Sequence, residues 1–307
     1  MAQDEVGQRA YREFCSVHTV SLSFQPWWWD AVCGPDGWGA AVVETGVWPY
    51  FRTRRWGVPV ATMPPYTTYS GPFLAPFSAQ WPTWRRLQWE QRTLERLAER
   101  LPSGCFFRQN CLPEFDYGLP LLWAGFRLST RYTYVFPAGC RTGEIYSNLK
   151  HALRTDLRRA QREVWVEPTW DAGRLFALYV GSLHRRGLRR PYAPFKRLLS
   201  ALRQRGRGVG WVARCRRDGA DIAGLLLAFD ERQGAVVMAG RAHRQGYPGA
   251  LHRLYWEAIG FCCAHGLALD FEGSMLPGVE RVFRAFGALQ RPYLQVSRFF
   301  KKSLCRR

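Results

Sequence analysis

The chain has 307 residues, 47% hydrophobic and 15% aromatic, which is enough to fill substantial cores and too much for a disordered segment. At about 100–200 residues per domain, two domains are the natural expectation. Lys and Arg number 44 against 24 Asp and Glu, a formal net charge of +20; that field favours an anionic partner without choosing among nucleic acid, a phosphate-rich cofactor, an acidic substrate and a membrane surface.

Met1 to Arg12 are polar and mixed in charge and lack the apolar centre of a secretory signal, so the expected location is the cytoplasm. Trp27, Trp28 and Trp29 read as a hydrophobic anchor of the first domain. Trp38 to Thr45 and Trp48 to Arg55 read as a hairpin around Gly46, a loop rich in Pro and Tyr spans Met63 to Pro76, and Trp81 to Arg100 is helical. Cys105 to Asn110 follows, then a short helix ending at Trp123 to Phe126, and a strand at Tyr132 to Phe136 that closes the first domain. Pro137 to Gly143 has linker composition, giving domains 1–140 and 141–307.

The second half opens with a predicted helix from Ser147 to Glu163. Lys150, Arg154 and Arg158 recur every four residues as a cationic stripe opposite Leu149, Leu153, Leu157 and Ala160. The stripe is either a solvated face or an anion site for a phosphorylated acceptor or a tRNA end, which Arg185, Arg186, Arg189 and Arg190 could extend. Val209 to Cys215, a turn at Arg217 to Gly219, Ile222 to Phe229 and Ala235 to Arg241 give three antiparallel strands. Ile222 to Phe229 is the longest apolar run and falls well short of the ~20 residues a membrane-spanning helix needs, so it reads as a buried strand and no integral membrane segment is expected.

The loop His243 to Pro248 leads into a helix from Gly249 to His265, stopped by Gly266. A strand from Leu267 to Phe271, the turn Glu272 to Ser274, and a helix opening at Pro277 with Val279, Val282, Phe283 and Phe286 on one face come next. Tyr293 to Val296 is the last strand. Both halves end in strand, helix, small-residue stop and aromatic strand, a weak internal duplication.

The nine cysteines are scattered and contain no Cys-x-x-Cys spacing, which fits a reduced compartment. Cys262 and Cys263 read as packing thiols. His18, His151, His184, His243, His252 and His265 show neither metal-ligand spacing nor the logic of a Ser-His-Asp triad, so no metal is expected.

Tyr146 to Arg162, Asp270 to Ser274 and Val282 to Gly287 resemble the recurring signatures of FemAB-like and BioF2-like acetyltransferase domains of the GNAT superfamily. Trp48 to Tyr50 and the loop from Pro64 to Phe73 extend the resemblance in outline to the first half. It implies a mixed α/β (α+β) fold of tandem GNAT-like domains, each a central, mostly antiparallel sheet flanked by helices, the first one degenerate. It also implies an N-acyltransferase that uses acyl-CoA (acetyl-CoA) to acylate a small-molecule or peptide amine. One alternative is a FemAB-like peptidyltransferase using aminoacyl-tRNA. Another is a non-catalytic nucleic-acid-binding protein, suggested by the arginine excess with interspersed aromatics.

On this resemblance the donor's pyrophosphate sits at the helix start after the third strand, where Gln245, Gly246, Gly249 and Ala250 match the family pattern except that Pro248 replaces a glycine and removes one backbone donor. Arg241 and Arg244 could supply guanidinium contacts instead. Asp270 and Glu272, two apart on a strand and therefore on one face, are candidate proton acceptors, and Tyr293 is a candidate donor to the leaving group.

Overall fold

A computed structural model describes residues 2–55, 57–184, 189–242, 248–273 and 275–299. The first part of the chain runs through α1 (Ala2–Val17), a 3-10 turn (Leu22–Phe24), α2 (Pro26–Cys33), β1 (Trp38–Val43), β2 (Gly46–Arg55), β3 (Val58–Thr62), β4 (Phe73–Leu74), α3 (Thr83–Arg100), β5 (Phe106–Asn110), α4 (Leu119–Trp123) and β6 (Arg127–Phe136). It continues through α5 (Thr142–Asn148), α6 (His151–Glu163), β7 (Val164–Pro168), α7 (Ala172–His184), α8 (Tyr192–Arg205), β8 (Gly208–Cys215), β9 (Asp221–Phe229) and β10 (Gln233–Arg241). The remaining elements are α9 (Pro248–Ala264), β11 (Ala268–Asp270), α10 (Pro277–Ala285) and β12 (Leu289–Arg298). The chain divides into two compact units, Met1–Arg131 with Pro292–Arg307, and Tyr132–Arg291.

In the first unit the sheet order is β1-β2-β3-β5-β12, with β4 on β2; β3 and β5 run parallel and the other pairs among the described residues antiparallel. Alternation along the strands sorts its two cores. Trp38, Ala40 and Val47 pack with Tyr11 and Phe14 of α1, whereas Ala41, Val43, Trp48 and Tyr50 pack with Leu94 and Leu97 of α3. Trp28 and Trp29 are buried as expected of an anchor, and Trp27 is only half-buried.

The second unit orders its strands β6-β11-β10-β9-β8-β7; β10 and β11 run parallel and the other pairs among the described residues antiparallel. The apolar run Ile222 to Phe229 forms most of β9, between β8 and β10. Its Ala223, Leu225 and Leu227 pack with Leu153 and Leu157 of α6, Leu254 and Ala258 of α9 and Phe283 of α10. On the opposite face α7 approaches so closely that a Cβ on Gly240 would lie 2.6 Å from the Leu178 carbonyl oxygen. Gly240 faces Gly224 across the β9 and β10 ladder, where the Leu178 side chain sits. These two glycines make room for the helix.

Three expectations are corrected. The closing strands are exchanged: β6 pairs with β11 of the second unit, and β12, which carries Tyr293 to Val296, pairs with β5 of the first. The units therefore depart from a single cut at 140/141, with boundaries inside β6 and inside β12. The helix expected over Ser147 to Glu163 is broken at Leu149, whose ψ of 143° is extended, and Lys150 becomes the N-cap of α6.

Candidate functional site

The parallel ladder between β10 and β11 is short. It joins Gln233 to Ala235 with Ala268 to Asp270 and stops there, while the ladder of β10 with β9 goes on to Arg241. Among the described residues, Val236 to Arg241 therefore have a strand neighbour on one side only. Register shifts between Val236 and Met238, a bulge that re-aims the backbone groups around Val237. α9 opens shortly after β10, where the sequence resemblance sets the donor's pyrophosphate.

Asp270 is the last residue of β11 and is buried. Its Oδ1 accepts the Thr133 hydroxyl at 2.5 Å and the Glu272 backbone N–H at 2.6 Å, so this carboxylate pins β6 to the turn that leaves β11. Glu272 lies beyond the strand with a positive φ of 57°, followed by Gly273 at 74°. The expectation that both carboxylates share one strand face is corrected here, because period-two alternation ends where the backbone turns left-handed. A left-handed conformation is unfavourable for a glutamate, and local strain of this kind concentrates at functional sites.

Tyr293 belongs to the first unit, where its hydroxyl accepts from Arg131 Nε at 3.3 Å and its ring meets Tyr69 edge-on at 5.2 Å. Asp270 and Glu272 belong to the second unit.

In the predicted donor set, Arg241 ends β10 and its backbone N–H donates to Ser182 Oγ at 2.9 Å. Gly249 and Ala250 are buried in the first turn of α9, which begins at Pro248. Arg244, Gln245 and Gly246 lie outside the described residues. The methyl of Ala250 joins the core, so that position serves packing as well as any backbone contact.

Of the predicted stripe, Arg158 is exposed and donates to the Tyr146 hydroxyl at 3.3 Å, Arg154 is half-buried, and Lys150 stands outside the helix as its cap. No group of three or more His, Cys, Asp or Glu side chains able to hold a metal occurs among the described residues, and none of the described helices is long and apolar enough to cross a membrane. Several of the large aromatic side chains go into the cores: Trp28, Trp29, Trp38, Trp48, Phe107, Phe195 and Phe286 are fully buried, whereas Trp84 and Trp123 are exposed.

Sequence reading passed over His252, which the fold sets on α9 with Nδ1 3.3 Å from Asp156 Oδ2 of α6. The ring is largely buried and Nδ1 makes no hydrogen bond. Burial pushes its pKa below the ordinary histidine value, Asp156 opposes the shift and Arg241 adds to it. Asp156 and His252 are far apart in the chain and carry no spacing signal.

Because the folded ring resists protonation, the unfolded chain takes up the proton first as pH falls below about 6.5, and stability is lost from there downward until the folded ring titrates as well. His252→Gln is expected to flatten the fall of melting temperature between about pH 7 and pH 5. An unchanged slope in the variant would show that other groups control that fall.

A groove of about 670 Å³ lies on the α7 side, bordered by Gly173, Arg174, Ala177, Asp221 and Ala242. Its charges are tied together. Arg174 donates to Asp221 at 2.8 and 2.9 Å and to Glu167 at 2.7 Å, contacts that raise its pKa, and Arg214 stands 3.4 Å from Asp221.

No protein-family model matches the chain, and no curated protein matches it in sequence. Solved structures do. FemX is 14% identical with a TM-score of 0.60, covering 95% of each chain. L-PGS from Bacillus licheniformis is 12% identical with a TM-score of 0.56, covering 96% of this chain and 93% of its own. A tandem GNAT protein from the clavulanic acid biosynthesis pathway is 12% identical with a TM-score of 0.52, covering 96% of this chain and 95% of its own. At these identities the likeness speaks to architecture alone, and it shows that the chain has a GNAT-like, FemAB-like fold.

Proposed function

We propose that this protein is an N-acyltransferase that moves an acyl group from acyl-CoA to the amine of a small molecule or peptide, with the chemistry in the second unit. The observation that carries the reading is the short parallel ladder of β10 and β11, which leaves Val236 to Arg241 with one strand neighbour beside the start of α9. An extended thioester arm fits beside such a strand, and the backbone around the Val237 bulge is a candidate source of an N–H aimed at the developing oxyanion. The start of α9 offers its dipole and backbone donors to phosphate, with Pro248 withholding one donor and Arg241 close by.

Glu272 takes the amine proton as the new C–N bond forms and the C–S bond breaks, and the proton passes on to the departing thiolate. Asp270 positions Glu272 through the bond to its backbone N–H. The α7 groove, whose lining includes Ala242 just after β10, is the candidate path for the amine.

Acetyl-CoA is expected to raise the melting temperature in a concentration-dependent way, since a ligand that binds only the folded state stabilises it by mass action. No shift with any acyl-CoA, together with a shift on adding charged tRNA, would replace the donor with aminoacyl-tRNA while keeping the fold and the turn at Glu272.

A further inference from the structure

A second cavity, about 640 Å³, opens where the end of α6 meets the β8 and β9 hairpin. Arg159, Arg162, Arg216 and Arg217 line it with Glu163 and Asp218. Arg159 and Glu163 pair with each other at 2.7 Å. The Asp218 carboxylate caps its own turn by accepting the Ala220 N–H at 3.0 Å, a bond that lowers its pKa. Arg162, Arg216 and Arg217 thus add three positive residues to the lining of one cavity; Asp218 feels the charge of Arg217, and none of the three forms an ion pair among the described residues.

The hairpin that carries two of them is held in place. Arg216 N–H donates to the Glu163 carbonyl at 2.8 Å, which sews the turn to α6, and the Arg214 guanidinium braces it from behind through the Gly219 carbonyl at 3.0 and 2.8 Å. Ile222 also lines the cavity, and its carbonyl accepts the Ala242 N–H at 2.7 Å, the residue after β10. The cavity therefore lies at the end of the sheet where β10 finishes. Arg162 also extends the spacing of Arg154 and Arg158 along α6 toward it.

We propose that this cavity binds a phosphate group of a small-molecule substrate. Guanidinium groups suit the task because each offers paired donors to phosphate oxygens, and a braced turn presents them with little ordering left to do on binding. The phosphate belongs to the donor or to the acceptor, and only the donor assignment rests on the acyl-CoA reading above.

The test is calorimetric titration of the full chain with inorganic pyrophosphate, comparing the wild type with Arg216→Gln/Arg217→Gln and with Arg92→Gln/Arg96→Gln, a control that removes two exposed arginines from α3. At least about tenfold weaker binding is expected for the first variant, given the usual strength of hydrogen bonds to charged groups, with little change in the control. Competition by acetyl-CoA would assign the site to the donor, and undiminished pyrophosphate binding beside saturating acetyl-CoA would assign it to the acceptor. Failure of acetyl-CoA to bind at all would end the acyl-CoA reading and leave the pyrophosphate result standing. Absent pyrophosphate binding, equal weakening in both variants, or weakening confined to a single-stranded RNA probe would overturn the phosphate site.

Discussion

Glu272→Gln is expected to fold normally and to lose roughly 10²–10⁴-fold in the rate of acyl transfer, the usual contribution of a positioned proton acceptor. The amide keeps the size and the left-handed backbone of Glu272 and removes its charge and its ability to take a proton. The loss should be greatest at low pH, where fewer acceptor amines are already neutral. Glu272→Gly separates strain from chemistry. It should stabilise the fold by about 1 kcal/mol, because glycine adopts a positive φ without steric cost, and it should be as slow as the amide variant.

Asp270→Asn should behave differently. It keeps an Oδ1 acceptor for the Thr133 hydroxyl and the Glu272 N–H but removes the charge that strengthens both bonds, so it should lower stability by about 1–3 kcal/mol, and its rate loss would come through a displaced Glu272. Single-turnover rates and melting temperatures measured on the same samples decide the matter. Full activity in folded Glu272→Gln would mean that the acceptor amine loses its proton by another route.

Trp48→Ala is expected to cost about 3–5 kcal/mol, the largest stability effect of any single change discussed for this chain. The side chain is fully buried in the first unit, stacked on Phe126 at 5.6 Å and edge-on to Phe107 at 5.5 Å. Its Nε1 donates to Gln109 Oε1 at 2.5 Å, and Gln109 Nε2 donates in turn to the Pro49 carbonyl at 2.8 Å. Alanine leaves a cavity among the rings and strands a buried amide oxygen. Trp48→Phe keeps most of the volume, loses the donor and should cost about 1–3 kcal/mol. Urea denaturation midpoints for the two variants measure both costs, and equal midpoints would show that the ring volume carries none of the difference.

The elements most legible in the sequence were those whose signal is local. The β8 and β9 hairpin follows from its turn residues, β9 from an unbroken apolar run, and α9 from its glycine stop, whose positive φ of 67° at Gly266 bears out the reason given for it. The cationic spacing of α6 was visible as well, although the break at Leu149 that excludes Lys150 was not, since helix-forming residues continue across it. The order of strands and helices, together with the FemAB-like segments, was enough to indicate the fold.

Partnership was not legible. Alternating aromatic residues mark β6 and β12 as strands, but they do not say which sheet completes its ladder with them, because a backbone hydrogen bond carries no residue identity and its partner is set by how distant segments pack. Tyr293, read as a candidate donor on the last strand, falls in the first unit, whereas Asp270 falls in the second. The face of Glu272, the meeting of His252 with Asp156, and the gathering of Arg162 with Arg216 and Arg217 share this origin. The sequence alone marked β1, β2, α3, β8, β9, β10, α9, β11 and α10 as strands or helices and put them in order, since periodicity is a local property of the chain, and it passed over α1, α7, α8 and β7. The tertiary structure alone decided which charged and titratable side chains meet, because those encounters are made by packing between segments that no spacing in the sequence connects.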